Sequence, residues 1–118
     1  MKILYIAMKY NVGGPACGFS YEHYNFYDSL MNMENSKHKI VYFPVDEIML
    51  KEGRNNMNRR LIEKVKTERP DLCFFLLLTH QIKPETIRQI TESGVTTTFN
   101  WFADDEWRFE ITQDYYPL

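Results

Sequence analysis

A three-layer α/β fold, with helices on both faces of a parallel sheet, is what this 118-residue sequence predicts. Three observations lead there. Four apolar runs, Ile3 to Met8, Lys39 to Phe43, Leu72 to Leu78 and Thr96 to Phe102, alternate with stretches of helical period, which is the βαβ pattern. The first and third runs carry almost no polar interruption, as strands covered on both faces do. Helix punctuation falls between the runs, with Ser20 as a start and Pro70 and Gly94 as stops.

The first helix is expected from near Ser20 to between Asn32 and Asn35, with His23, Phe26, Tyr27 and Leu30 on one face. Pro44 closes the second strand, and the stretch from there to Gly53 reads as a loop holding one turn of helix. The second helix runs from about Asn56 to Glu68, with Met57, Leu61 and Val65 inward and Arg59, Arg60, Glu63 and Lys66 toward solvent. The third starts near Pro84, buries Ile87, Ile90 and Thr91, and closes at Gly94. Right-handed crossovers, with the two most apolar strands central, give the spatial order 2-1-3-4 of a Rossmann-like or flavodoxin-like sheet in a single domain over residues 1–118.

Composition narrows the function classes. An apolar fraction of 44% against 25% charged residues is a globular balance. The formal net charge of -2 and scattered Lys and Arg leave no basic footprint for nucleic acid. Cys17 and Cys73 form neither a disulfide framework nor a zinc spacing, and read as reduced thiols of a cytoplasmic protein. The apolar start is too short for a secretory leader, and the run Leu72 to Leu78 is too short to span a bilayer.

Ligands of such sheets sit at the carboxyl ends of the strands. Three segments fall there. The loop Lys9 to Gly18, containing Gly13 and Gly14, precedes a helix N-terminus where backbone N–H groups favour an anion, although its glycine spacing is not that of a dinucleotide fingerprint. The glycines serve equally as plain turn formers. His23, beside that loop, is a candidate general base or else a hydrogen-bonded core histidine, and Glu22 is a candidate contact or a first-turn carboxylate. Thr79, His80 and Gln81 flank the same crevice. The densest cluster, Asn100 to Phe109, combines three carboxylates (Asp104, Asp105, Glu106), two indoles (Trp101, Trp107) and Arg108, a set suited to a polyhydroxylated ligand. Its indoles could instead pack the end of the sheet while Arg108 pairs with an acid. The fourth strand carries neither charge nor proline, so a dimer or domain contact along it is expected, and the tail with Phe109, Ile111, Tyr115 and Tyr116 reads as cut off before its partner structure.

The runs Gly18 to Asp28, Asn58-Arg59-Arg60-Leu61 and Asn100 to Phe109, the last of the form N-W-F-x-D-D-x-W-R-F, resemble the amino-terminal region of CgeB-like, spore-maturation-type glycosyltransferases. The resemblance implies a GT-B protein with two Rossmann-like domains, of which this chain would be the acceptor-side half, incomplete and inactive alone. It implies a nucleotide-sugar donor gripped by a missing C-terminal domain, an acceptor of unknown identity, and His23 and Asp105 as candidate catalytic groups; by their place at the strand ends, Lys9, Gly13, Gly14, Glu22, Asn100, Trp101, Asp104, Trp107 and Arg108 are the candidate substrate contacts. Enzymes of this type typically need no metal or other cofactor, which counts against a metal role for Asp104 and Asp105. The alternative is a free-standing flavodoxin-like ligand- or partner-binding module without catalysis. Receiver, flavin and cobalamin features are missing after the first strand, where Lys9 and Tyr10 stand in place of acids.

Overall fold

The computed structural model describes residues 1–33, 37–77, 80–102, 109–110 and 112–115. Among them, β1 (Lys2–Ala7), β2 (Lys39–Pro44), β3 (Leu72–Leu76) and β4 (Thr97–Trp101) form one sheet in the order β2-β1-β3-β4, with every neighbouring pair parallel. This is the expected Rossmann-like order. Tyr5 stands level with Tyr42 on one side and Phe74 on the other, and Phe74 with Phe99, so an aromatic row crosses all four strands.

The chain leaves β1 toward β2, then passes back over β1 to reach β3. With right-handed crossovers, that reversal sends the connecting helices to opposite faces. On one face α2 (Val45–Glu68) and α3 (Pro84–Glu92) bury Leu4, Ile6, Phe43, Cys73 and Phe75. On the other, a π-helical turn (His23–Tyr27) runs into α1 (Asp28–Met31) and lays Phe26, Tyr27 and Leu30 over Tyr5, Ala7 and Leu76. Leu4, Tyr5, Ile6 and Ala7 consequently expose no surface. Met57, Leu61 and Val65 point inward along α2 as their spacing predicts, while Gly94 closes the α3 turn at φ 63°.

Several local features differ from expectation. Residues 45–52 are helical rather than loop, because Val45, Ile48 and Met49 recur at three- and four-residue spacing against the core. Asp46 and Glu47 in the first turn favour the helix dipole. Gly53, at φ 79° and ψ 163°, interrupts the helix, so α2 is two helical segments joined at one residue. Thr86 rather than Thr91 is the buried threonine of α3; Thr91 is half-buried and shares a 3.3 Å hydrogen bond with Thr98 of β4. Tyr115, in the tail that reads as cut off before its partner structure, is buried against the domain itself, and its hydroxyl donates to the Ile82 carbonyl. Phe109 is exposed, whereas Ile111 and Tyr116 lie outside the described residues.

No helix among the described residues is long and apolar enough to cross a membrane. Asn58, buried in α2, donates to the carbonyls of Arg54 and Gln81 at 2.8 and 2.9 Å and accepts from the Lys83 amide at 2.8 Å, tying the β3–α3 connection to the helix. Along β4, Phe99 and Trp101 are each 50% exposed on the face that carries α1.

The conformation of Gly53 belongs to a region that side chains other than glycine occupy at a cost of about 1–3 kcal/mol. Gly53→Ala is therefore expected to lower the free energy of unfolding in urea by that amount. An unchanged midpoint would mean the helix tolerates the residue by straightening.

Candidate functional site

The loop after β1 folds back on itself as a hairpin. Tyr10 and Phe19 form an isolated antiparallel bridge, the Asn11 amide donates to the Gly18 carbonyl at 3.0 Å, and the Ser20 amide donates to the Lys9 carbonyl at 2.9 Å. A 3-10 turn (Pro15–Cys17) makes the tip. Gly13 is favoured here by its φ of 108°, and an added Cβ would also make the Cys17 sulfur, 2.8 Å away, move aside. Ser20 ends the hairpin and starts the helix, its Oγ accepting from the His23 amide at 3.1 Å and donating to the Met8 carbonyl at 3.1 Å.

The hairpin is held by Asp46. Its two carboxylate oxygens accept from the amides of Lys9 and Tyr10 at 2.8 and 2.9 Å. The amides of Asn11, Gly14, Cys17 and Gly18 donate within the loop. A phosphate bound at the Lys9 and Tyr10 amides would have to displace a carboxylate that already occupies them. Next to it, Lys9 Nζ lies 2.9 Å from one oxygen of Glu47 and Lys51 Nζ lies 3.1 Å from the other. The ammonium groups of Lys9 and then Lys51 hold the Glu47 carboxyl below the ordinary carboxylate range, and Glu47 holds the Lys9 ammonium above the ordinary lysine value.

Between hairpin and helix runs a groove of about 910 Å³, lined by Lys9, Tyr10, Gly13, Gly14, Pro15, Asp46, Glu47, Met49, Leu50 and Lys51. It opens at the carboxyl ends of β1 and β2. A hollow of about 390 Å³ between α2 and α3 lies away from those strand ends and from every candidate side chain.

Of the residues singled out from sequence, the groove brings together Lys9, Gly13 and Gly14. His23 does not line it. Its ring lies under Phe19 at 4.4 Å, with Tyr27 and Tyr42 at 5.1 and 5.7 Å, and its nitrogens face the Tyr42 hydroxyl (3.4 Å) and Asp28 (3.8 Å). Glu22 takes part through its backbone, its carbonyl accepting from the buried Tyr5 hydroxyl at 3.0 Å. Asn100 and Trp101 point to opposite faces of β4: Asn100 accepts from the Leu77 amide at 3.2 Å beside a hollow of about 180 Å³, while Trp101 lies against Phe26 at 5.9 Å. Asp104, Asp105, Glu106, Trp107 and Arg108 lie outside the described residues, as does Thr79. His80 lies near Tyr115, and Gln81 reaches Met8. No group of three or more His, Cys, Asp or Glu among the described residues is arranged to hold a metal ion.

Comparison with protein-family models, with curated proteins and with solved structures returned no match. The functional reading therefore rests on the sheet and on the chemistry of the residues at its carboxyl edge.

Two outcomes follow from this geometry. Asp46→Ala leaves the Lys9 and Tyr10 amides without their acceptor and is expected to cost about 1–3 kcal/mol, with faster hydrogen exchange confined to the hairpin. Unaltered exchange there would show that Asp46 does not hold the loop. The second concerns alkaline pH. Burial holds the phenols of Tyr5 and Tyr42 above their ordinary range and pushes the Cys73 thiol up to about 11. Groups with raised folded values contribute stability that is complete below the unfolded values, about 8.5 for a thiol and 10 for a phenol, and that is lost as pH rises. The urea midpoint is expected to fall above that range, less steeply in Tyr42→Phe; a flat profile counts against buried phenols.

Proposed function

We propose that this chain is the acceptor-side domain of a sugar-transferring protein of the GT-B type, resembling CgeB-like proteins, and that transfer from a nucleotide-sugar donor requires a second domain. The observation that carries the reading is the groove at the carboxyl ends of β1 and β2, where Rossmann-like sheets place their ligands and where Lys9, Gly13 and Gly14 converge. The engaged amides of Lys9 and Tyr10 support an acceptor rather than a phosphate-bearing donor at this edge. In this reading Asp105 and His23 are the candidate catalytic groups, and the half-exposed Phe99 and Trp101 support a dimer or domain contact along β4. Two free cysteines, Cys17 exposed and Cys73 buried, support the cytoplasm as its compartment.

One observation favours the second reading, a ligand- or partner-binding module without catalysis. His23, the candidate base, is packed among aromatic rings and does not line the groove.

Titration of the 15N-labelled chain with a panel of glycosides and, separately, of nucleotide sugars tests the proposal. Shifts at Lys9, Gly13 and Gly14 are expected with glycosides, and little response with nucleotide sugars. Tight nucleotide-sugar binding would make this a donor-side domain. Silence toward both classes up to about 10 mM, where even weak sites fill, would leave sugar transfer without support.

A further inference from the structure

The structure points to the chemical class of molecule that the groove accepts: we infer a neutral, hydroxyl-bearing ligand with a flat apolar body, such as an aryl glycoside or aryl alcohol. Calling that ligand an acceptor rests on the sugar-transfer reading, whereas the match between ligand and groove does not. A volume of about 910 Å³ is within the range of about 300–1,000 Å³ common for small-molecule sites.

Part of the wall is apolar. Tyr10, Pro15, Met49 and Leu50 line the groove, while Gly13 and Gly14 bring bare backbone to its edge. Leu50 is 80% exposed, a large apolar side chain on a helix with nothing in the described chain over it. The Tyr10 ring is fixed by stacking on Phe19 at 5.7 Å and has the Lys9 ammonium 5.3 Å from its centre. A flat ring laid against Leu50 and the soft thioether of Met49 removes apolar surface from water on both partners.

The charges around these walls balance. Lys9 and Lys51 are both paired with Glu47, and Asp46 is bound to two amides. Two cations stand against two carboxylates, so an incoming anion finds no uncompensated positive charge and meets two like charges. A hydroxyl fits better, because it both donates and accepts. It can give its proton to a Glu47 oxygen and accept from the Lys51 ammonium, whose side chain is 67% exposed and has donors to spare.

The test is NMR titration of the 15N-labelled chain with phenyl β-glucoside, methyl β-glucoside, 2-phenylethanol and phenyl phosphate. Phenyl β-glucoside is expected to shift Lys9, Gly13, Gly14, Leu50 and Lys51, with methyl β-glucoside at least about tenfold weaker, since burying a ring-sized apolar group is worth about 1.5–3 kcal/mol. Leu50→Ser is expected to weaken phenyl β-glucoside by a similar factor. Its unchanged thermal midpoint would separate this loss from unfolding, as Leu50 is a surface residue. Equal binding of the methyl glucoside would overturn the inference while leaving the sugar-transfer reading intact. Tighter binding of phenyl phosphate would overturn it as well. Binding of 2-phenylethanol as strong as that of the glucoside would sustain the inference and remove support from sugar transfer. No shift in the groove with any probe would overturn the inference.

Discussion

Strand β1 has to be covered on both faces, and most of the molecule is arranged around that requirement. Its residues Leu4 to Ala7 are without exposed surface, and one of them, Tyr5, carries a hydroxyl that must be satisfied inside. The partner is the Glu22 carbonyl at the start of the first helical segment, which fixes where that segment crosses the strand. Tyr42 on the neighbouring strand does the same for the end of β1, donating to the Met8 carbonyl at 3.2 Å. One phenol thus positions the helix layer and the other the chain leaving β1, which passes to the edge where α2 begins.

Much of this was legible in the sequence, and for a simple reason. Parallel strands buried on both faces read as unbroken apolar runs, and the residues Ile3 to Ala7 and Leu72 to Leu76 are such runs. Helix faces followed from spacing wherever the apolar residues were strong, as at Met57, Leu61 and Val65. The stretch after Pro44 was harder. Its helix is short, carries a glycine at its end, and draws its stability from packing and from charge at its N-terminus more than from pattern. The π-helical turn at His23–Tyr27 left no trace in spacing, because its residues satisfy an ordinary helical period nearly as well.

The groove was only half legible. Lys9, Gly13 and Gly14 were found from their place after an apolar strand. Asp46, which holds the loop, is 37 residues from Lys9 in the chain, and nothing local marks it as the acceptor of two amides. Its one signal was an Asp-Glu pair two residues after a strand-ending proline, a helix start that the glycine at position 53 obscured. Asn58 escaped in a similar way: an amide inside a solvent-facing polar stretch turned out to be buried, bonded to the Arg54 carbonyl of its own helix and, on both sides of its amide, to Gln81 and Lys83 of the β3–α3 connection. His23 shows the opposite case, a chemically suggestive residue whose surroundings are aromatic packing.

The break at Gly53 divides one long helix into parts with separate duties. Residues 54–68 carry Met57, Leu61 and Val65 into the core, while residues 45–52 supply Asp46, Glu47, Leu50 and Lys51 to the edge of the sheet. Because a glycine lies between them, changes of side chain in the short piece need not disturb the register of the long one. The arrangement leaves the fold an exchangeable outer surface at Leu50 and Lys51, which natural drift or a designer can rewrite while Val45, Ile48 and Asp46 keep the piece seated on its framework.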